Sequence, residues 1–462
     1  MIAILLVAIP LLAAFLAIIF KKLAPYILLV VGLFNVVLLL IIPEGTVVLG
    51  GLTQNPAIGI NLLLDTYSKI ALLLVNSLVV VIAFLNIKKY GKFSGILLIA
   101  LAGLNGLVLT NDLFNLFVFL EISGIAAYLI STSNKKPVKT FHYLILGAVG
   151  SSLFLFGVII LYSMFGTLNM VDLIQKIQAT NNYSELILPF LLMFIGLGVE
   201  AKLLPFNSWV KGILGESNTM SGPMIASVYA ASLGFVMGRL ITNLFLFEGT
   251  LLTVVTVILA LGIVMGDAMA FSSSKTREIL LYSSVAQAAI VAMLFVNGIV
   301  IWAVYLLVAN ALSKLVMFLV INKATNDVGS DESDKLQGLF SKNVLVGLAF
   351  TLVTLSVMGL PLLVGFTIKL SYLTELASND QILLIAIILI ASVIEGIYFV
   401  KLLLKLWYKG KDEAKIDVKY NISFKVIFVV IALALLAFGT YSTPLDKLDN
   451  SIDTVTEVVN NG

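Results

Sequence analysis

The sequence predicts an all-α integral membrane protein with about 14 transmembrane helices. Of its 462 residues, 60% are hydrophobic and only 11% are charged, whereas a soluble domain carries roughly 25% charged residues. Apolar stretches of about 20 residues, the length that crosses the hydrocarbon of a bilayer, recur along the whole chain. The lysines of the loops lie mostly in every second connection between these stretches, which is the pattern of the positive-inside rule.

The predicted spans follow one another with short connections. Their approximate limits are 2–20, 24–42, 61–86, 93–110, 112–132, 141–165, 185–208, 220–244, 250–272, 277–297, 299–322, 343–377, 381–404 and 423–441. The first, Ile2–Phe20, lacks a preceding basic region and a small-residue cleavage site, so it is predicted to be a retained span. No polar stretch between spans is long enough for a core of its own, which predicts one polytopic membrane domain over 1–462.

The positions of the basic residues predict the orientation of the chain. They occur in the odd-numbered loops, at Lys21, Lys22, Lys88, Lys89, Lys92, Lys135, Lys136, Lys139, Lys211, Lys275, Arg277, Lys323, Lys335, Lys342, Lys405, Lys409, Lys411, Lys415 and Lys419. The even loops and the tail offer little beyond Lys176 and Lys447. Such alternation predicts a multi-pass protein of the cell membrane with both termini outside. The polar tail from Ser442 is expected along the membrane surface.

Several kinds of chemistry are excluded by composition. There is no cysteine and only one histidine, His142, which argues against disulfides, iron–sulfur clusters, haem and metal sites on this chain. No glycine-rich phosphate-binding loop occurs, and a net charge of +3 does not indicate nucleic acid. We therefore expect no cofactor and no redox site on this chain, so that any linked redox reaction would take place on another subunit.

Ionisable residues within the predicted spans are the candidates for function, because each costs about 2.5–3.5 kcal/mol at mid-membrane. Glu121, Lys314 and Lys369 lie deep in their spans, and Glu200, Lys202 and Glu395 are further candidates. The alternative for each is a structural ion pair that fixes helix register. Four others lie nearer span ends and are interpreted as interfacial anchors that reach towards water. These are Asp65, Arg239, Asp267 and Lys401.

Two spans contain a proline at which the helix is expected to break. Pro205 follows Glu200 and Lys202 in span seven, and Pro361 precedes Lys369 in span twelve. Proline removes a backbone hydrogen bond and clashes with the preceding turn. Broken helices beside charged residues in both halves of a membrane chain are typical of transporters.

Five stretches resemble conserved helices of one family of membrane subunits. The segment Asn111–Glu121 resembles the fifth-helix motif of the antiporter-like subunits of respiratory complex I, Mrp-type sodium/proton antiporters, and membrane-bound hydrogenases and sulfur reductases. Four further matches occur in the same order, at Phe141–Ala148 with Gly166–Asn169, Glu200–Trp209, Lys275–Gln287 and Met358–Lys369. The resemblance covers about residues 60–405. It implies two inverted five-helix repeats, roughly 93–244 and 250–405, flanked by helices within 1–92 and 423–441.

The resemblance also implies a path for ions at mid-membrane. Its expected members are Glu121, Glu200, Lys202, Lys314 and Lys369, with His142, Tyr229, Ser232, Gln287 and Asn310 as secondary members. Glu200 occupies the position of a family lysine, and no lysine follows Gly222-Pro223, where Ser232 is found instead. Two family histidines align with Gln287 and Asn310. The second half thus keeps more of the family's charges than the first.

Three functions are consistent with these observations. The first is translocation of protons, sodium ions or both by one antiporter-like subunit among other membrane subunits of a larger complex. The second is a partly degenerate copy that acts mainly as a connector between subunits, which the missing lysine favours. The third is a stand-alone cation/proton antiporter.

Overall fold

A computed structural model describes residues 2–50, 59–180, 183–245, 247–408 and 418–440. Thirteen helices in this part of the chain are long and apolar enough to cross a membrane. The number is 14 when Ser333–Ser341 and Val344–Met358, which are bent by 115° relative to each other, are counted together as one broken span. The predicted all-α membrane fold is therefore confirmed. Positions 409–417 and the predicted surface tail from Ser442 lie outside the described residues.

The helices follow the predicted spans closely. They are α1 (Leu5–Ile19), α2 (Ala24–Ile41), α3 (Thr66–Tyr90), α4 (Ser94–Leu109), α5 (Leu113–Ser131), α6 (Pro137–Phe165), α7 (Met170–Gln178), α8 (Ile187–Glu200), α9 (Val210–Leu214), α10 (Ser221–Pro223), α11 (Ala230–Asn243), α12 (Gly249–Ser272), α13 (Thr276–Val296), α14 (Val300–Val328), α15 (Val344–Met358), α16 (Val364–Ser378), α17 (Ile382–Trp407) and α18 (Ile422–Thr440). A π-helical turn, Met224–Tyr229, joins α10 to α11.

The chain forms two compact units by its internal packing. One contains Met1–Ile213 and Val228–Val255, and the other contains Leu214–Ser227 and Thr256–Gly462. In the second unit, α13 and α14 are buried on nearly all sides, as expected for helices that are apolar all round in the interior of a membrane protein. The repeat limits 93–244 and 250–405 remain a prediction.

A short hairpin precedes α3, where the sequence had predicted the start of a span. Strand β1 (Gly45–Leu49) pairs antiparallel with β2 (Ile60–Leu64). The helix begins only after Asp65, whose carboxylate accepts a hydrogen bond from Ser68 N at 2.7 Å. The Ser68 hydroxyl accepts in turn from Asp65 N at 2.9 Å. This reciprocal cap fixes the helix start at Thr66.

The prediction that Arg239 and Asp267 reach towards water is wrong, because both side chains are buried, whereas Asp65 is half-buried at the start of α3. Arg239 is buried and donates to Asp65 Oδ1 at 3.0 Å and to the Val108 carbonyl at 2.8 Å. Asp267 is only 2% exposed. These groups find partners within the protein, so they need not reach water. Lys401, by contrast, is exposed, and its ammonium lies over the Phe271 ring at 4.6 Å.

The first predicted break begins earlier than Pro205. Helix α8 ends at Glu200, and Lys202 takes a left-handed conformation with φ +65°. Leu203 N donates to Gly198 O at 2.8 Å and Lys202 N to Val199 O at 3.4 Å. This is the Schellman pattern, in which glycine usually takes the left-handed position. The helix therefore ends before Lys202, five residues upstream of the predicted break at Pro205.

The second predicted break is found at Pro361, between α15 and α16. It uses the same hydrogen-bond pattern, with Gly359 in the left-handed position at φ +80°. Leu360 N donates to Leu355 O at 3.1 Å, and Gly359 N donates to Ser356 O at 3.0 Å. Each break thus ends a helix inside the apolar part of the chain and leaves carbonyl groups available to side chains.

Candidate functional site

A buried carboxylate with two tyrosine partners is the main polar feature of the first unit. Glu200, at the end of α8, is only 5% exposed. Tyr128 on α5 donates to its Oε1 at 2.9 Å, and Tyr143 on α6 donates to its Oε2 at 3.4 Å. Buried carboxylates need such donors, since an unpaired charge at this depth is costly. The two hydroxyls hold Glu200 at the point where the helix breaks.

Tight packing fixes this arrangement. The Tyr143 ring stacks on Trp209 with centroids 4.0 Å apart, and Trp209 Nε1 donates to Val199 O at 2.9 Å. Gly147 on α6 faces the Tyr128 hydroxyl and the Glu200 carboxylate so closely that a Cβ atom there would overlap both. A glycine at position 147 therefore leaves the space in which the Tyr128 hydroxyl and the Glu200 carboxylate contact each other.

Glu121 lies two helical turns before Tyr128 on α5. It is half-buried, and its charge acts on Glu200. Its side chain makes no hydrogen bond or ion pair with another residue of the described ranges. The structure thus brings Glu121 and Glu200 into one electrostatic group, which is rich in carboxylates and phenols.

The secondary residues of the first unit are distributed unevenly. Tyr229, at the end of the π turn, donates to Ser123 O at 2.9 Å. Ser232 is fully buried, and its hydroxyl has no hydrogen-bond partner among residues that the structure describes. Lys202 is also buried, within the left-handed turn. His142 is exposed on α6 and lies outside the Glu200 group.

An ion pair beside the second helix break is the main polar feature of the second unit. Lys369 on α16 donates to the Met358 carbonyl at 3.0 Å and lies 3.6 Å from Glu395 Oε2. Glu395, on α17, is 2% exposed. Lys369 thus connects a carbonyl at the end of α15 to a buried carboxylate on α17. The ion pair therefore lies directly beside the helix break.

Two secondary residues extend this pair. Gln287 on α13 donates to Glu395 Oε1 at 2.9 Å, and Asn310 on α14 donates to Gln287 Oε1 at 3.3 Å. Glu395 therefore has a cation on one oxygen and an amide on the other. The residues Gln287, Asn310 and Lys369 also line a cavity together with Ser356 and Tyr372.

A third charged group of the second unit is centred on Lys314. This lysine is buried on α14 and donates to the Ser283 hydroxyl on α13 at 2.8 Å. Close by, Tyr398 on α17 donates to Asp267 Oδ1 on α12 at 2.9 Å. Lys314 and Glu395 act on each other electrostatically. The second unit therefore holds two lysines and two carboxylates in one network.

Several members of these groups were not selected from the sequence. The candidates were selected by the cost of burying a charge, and neutral side chains do not meet that criterion. The neutral members are Tyr128, Tyr143, Ser283 and Tyr398. The spacing of seven residues between Glu121 and Tyr128, which places both on one helix face, is a signal that could have found one of them. Glu395 was recognised as a deep charge, but nothing in the sequence indicates its partner.

Comparisons with known proteins agree with this architecture. A family model described as NADH:quinone oxidoreductase/Mrp antiporter, transmembrane, matches residues 110–395. NADH-quinone oxidoreductase subunit N of Desulforudis audaxviator is 29% identical over 70% of this chain, and the match covers 66% of that relative. Subunit N of Dehalococcoides mccartyi is 26% identical over 86% of this chain and 87% of its own length.

A solved structure extends the likeness to the fold of the whole chain. A chain of the membrane-bound sulfane sulfur reductase, an archaeal respiratory membrane complex, superposes with a TM-score of 0.89. The two chains are 25% identical, and the superposition covers 99% of each. The described helices and their order are thus those of a subunit from a multisubunit membrane complex.

Proposed function

Since this chain belongs to the NADH:quinone oxidoreductase/Mrp antiporter transmembrane family, we propose that it moves protons, sodium ions or both across the cell membrane. It does so as one antiporter-like subunit among other membrane subunits of a larger complex. Any redox centre or other energy source resides on those partners, and this chain contributes ionisable side chains at membrane depth.

The pair Lys369–Glu395 carries the proposal. The Lys369 ammonium and the Glu395 carboxylate lie 3.6 Å apart beside the helix break, on two different helices. Gln287 and the Met358 carbonyl hold the two charged groups in this position. A movement of α16 relative to α17 would separate the two charges, and in this way ion uptake and release would be coupled to movement at the break.

Reconstitution of the assembled complex into sealed liposomes tests this function. A lumenal pH dye, with sodium present or absent, measures which ion moves. We expect ion movement that requires this chain. Dependence of proton movement on a sodium gradient would identify sodium as the second ion. A complex that retains its full ion movement when this chain is absent would contradict it.

Glu121→Gln is expected to lower ion movement less than Lys369→Ala does. Glutamine preserves the shape of Glu121, and Glu200 remains held by its two tyrosines. In addition, Ser232 lies where the family resemblance implies a lysine, so the first unit lacks a basic group at that position. Parallel flux measurements on the two assembled variants check this order. A larger loss in Glu121→Gln would show that the first unit carries the dominant flow.

Both termini are proposed to lie outside, with the lysine-rich loops in the cytoplasm. The native chain has no cysteine, so each introduced thiol is unique. Lys135→Cys lies between α5 and α6, and Lys176→Cys lies on α7. Membrane-impermeant maleimide should label the cysteine at 135 only from the cytoplasmic side and that at 176 only from outside. Labelling of both from one side would refute this topology.

A further inference from the structure

We propose that three buried asparagine side chains of the first unit form a binding site for a water molecule. The three, called the asparagine cluster below, are Asn35 on α2, Asn76 on α3 and Asn105 on α4. Each is 0% exposed, and a buried amide is costly unless its polar atoms find partners. The inference concerns helices outside the proposed ion path and does not depend on the proposed function.

A proline in α1 explains why amide groups are needed at this place. Pro10 lies inside α1, and proline has no N–H group to donate. In a regular helix that group would bond to the carbonyl of Leu6. Asn105 Nδ2 donates to the Leu6 carbonyl at 2.8 Å instead, and Asn35 Nδ2 lies 3.5 Å from it. The asparagine cluster thus supplies the donors that the proline removes.

The remaining N–H groups of the cluster also have acceptors. Asn35 Nδ2 donates to Asn76 Oδ1 at 3.0 Å, and Asn105 Nδ2 lies 3.4 Å from the same oxygen. Asn76 Nδ2 donates to Asn105 Oδ1 and to the Leu72 carbonyl, in both cases at 2.8 Å. Each of the three amides therefore faces a backbone carbonyl, which can only accept. This contact fixes which end of each amide is the nitrogen.

The oxygens of the cluster, by contrast, are in excess. Asn35 Oδ1 is buried and has no hydrogen-bond partner in the part of the chain that the structure describes. Asn105 Oδ1 accepts from Asn76, which uses one of the two lone pairs of an amide oxygen. Because the N–H groups of the cluster already have acceptors, a further partner must bring a positive group of its own. Such a partner is either the O–H group of a water molecule or a small cation.

The charge of the cluster favours water over a cation. All three side chains are neutral, and a buried cation is very costly without an opposite charge beside it. A buried water molecule is itself neutral and bonds to polar groups that otherwise lack a partner. Asn35 Oδ1 and the second lone pair of Asn105 Oδ1 are acceptors of the kind that a water molecule needs. Water therefore completes the hydrogen bonding of the cluster without adding a charge.

Cryo-electron microscopy of the assembled complex, at a resolution that shows ordered water, tests the site directly. One sample is prepared in sodium chloride and the other in choline chloride. We expect density about 2.8 Å from Asn35 Oδ1 in both samples, the usual distance for an O–H donor. Density that is present only with sodium would identify a cation and overturn the proposal. No density at this place, in maps that show other buried waters, would also overturn it.

Asn35→Leu tests whether Asn35 holds the water. Leucine has a similar size but no oxygen, so the density should disappear in this variant, and density that remains would overturn the proposal. Asn86→Leu is the matched control, because Asn86 is a buried asparagine of α3 that donates to the Ile82 carbonyl at 2.9 Å. It should keep the density at Asn35. Should Asn35→Leu fail to assemble, the two wild-type samples decide the question by themselves.

Discussion

Lys369→Ala is expected to reduce ion movement by the assembled complex at least about tenfold, because it removes the basic group beside the helix break that we propose takes part in ion movement. It also leaves the buried carboxylate of Glu395 without its ion-pair partner. Breaking a buried pair costs about 3–5 kcal/mol when both groups are fully desolvated. The Lys369 side chain is 14% exposed, so we expect a somewhat smaller loss of stability. Flux and thermal unfolding of the purified complex measure the two effects.

The double variant Lys369→Ala, Glu395→Gln separates transport from structure. It removes both charges, so stability should return towards that of the wild type while ion movement remains low. Recovery of ion movement in the double variant would instead identify the pair as a structural clamp. Lys401→Ala is the matched control, since Lys401 shares α17 with Glu395 but is exposed over Phe271. It should leave both measurements unchanged.

Gly147→Ala is expected to disrupt the polar group of the first unit. The added methyl group would overlap the Tyr128 hydroxyl and Glu200 Oε1, so at least one of them must move, and we expect their 2.9 Å hydrogen bond to weaken. Overpacking a closely packed interior costs about 1–3 kcal/mol. We expect a loss of stability in this range, measured by thermal unfolding in detergent.

Gly95→Ala provides the comparison on α4. A Cβ atom at Gly95 meets nothing closer than 3.8 Å. Alanine favours a helix over glycine by up to about 1 kcal/mol, so this variant should be neutral or slightly more stable. A Gly147→Ala protein as stable as Gly95→Ala would show that Tyr128 and Glu200 are not in the close contact described above.

The fold could be predicted from sequence because lipid imposes a simple requirement. Each span must be long and apolar, so the apolar stretches locate the helices. Basic residues are concentrated in alternate loops, which supports the number of spans. The break at Pro361 was also predictable, because proline cannot continue a helix. The β1–β2 hairpin was missed because its second strand is apolar and leads directly into α3.

The partners of the charged residues could not be predicted in the same way. Helices in a membrane are apolar on the lipid side as well as on the protein side, so hydrophobic periodicity does not identify the buried face. This is why Asp267 was interpreted as an anchor although it contacts Tyr398. The end of α8 illustrates a different limit. Lys202 takes the left-handed conformation that glycine usually takes after a helix, so the sequence contained no glycine to indicate the helix end.

The number of ions moved per turnover of the complex is the most direct test of the central claim that this chain itself conducts ions. The measurement compares liposomes containing the wild-type complex with liposomes containing the Lys369→Ala, Glu395→Gln complex, after equal assembly has been established. Our account predicts fewer ions per turnover in the variant. An unchanged number, with all subunits present, would contradict it and would assign the chain the role of a connector between its neighbours.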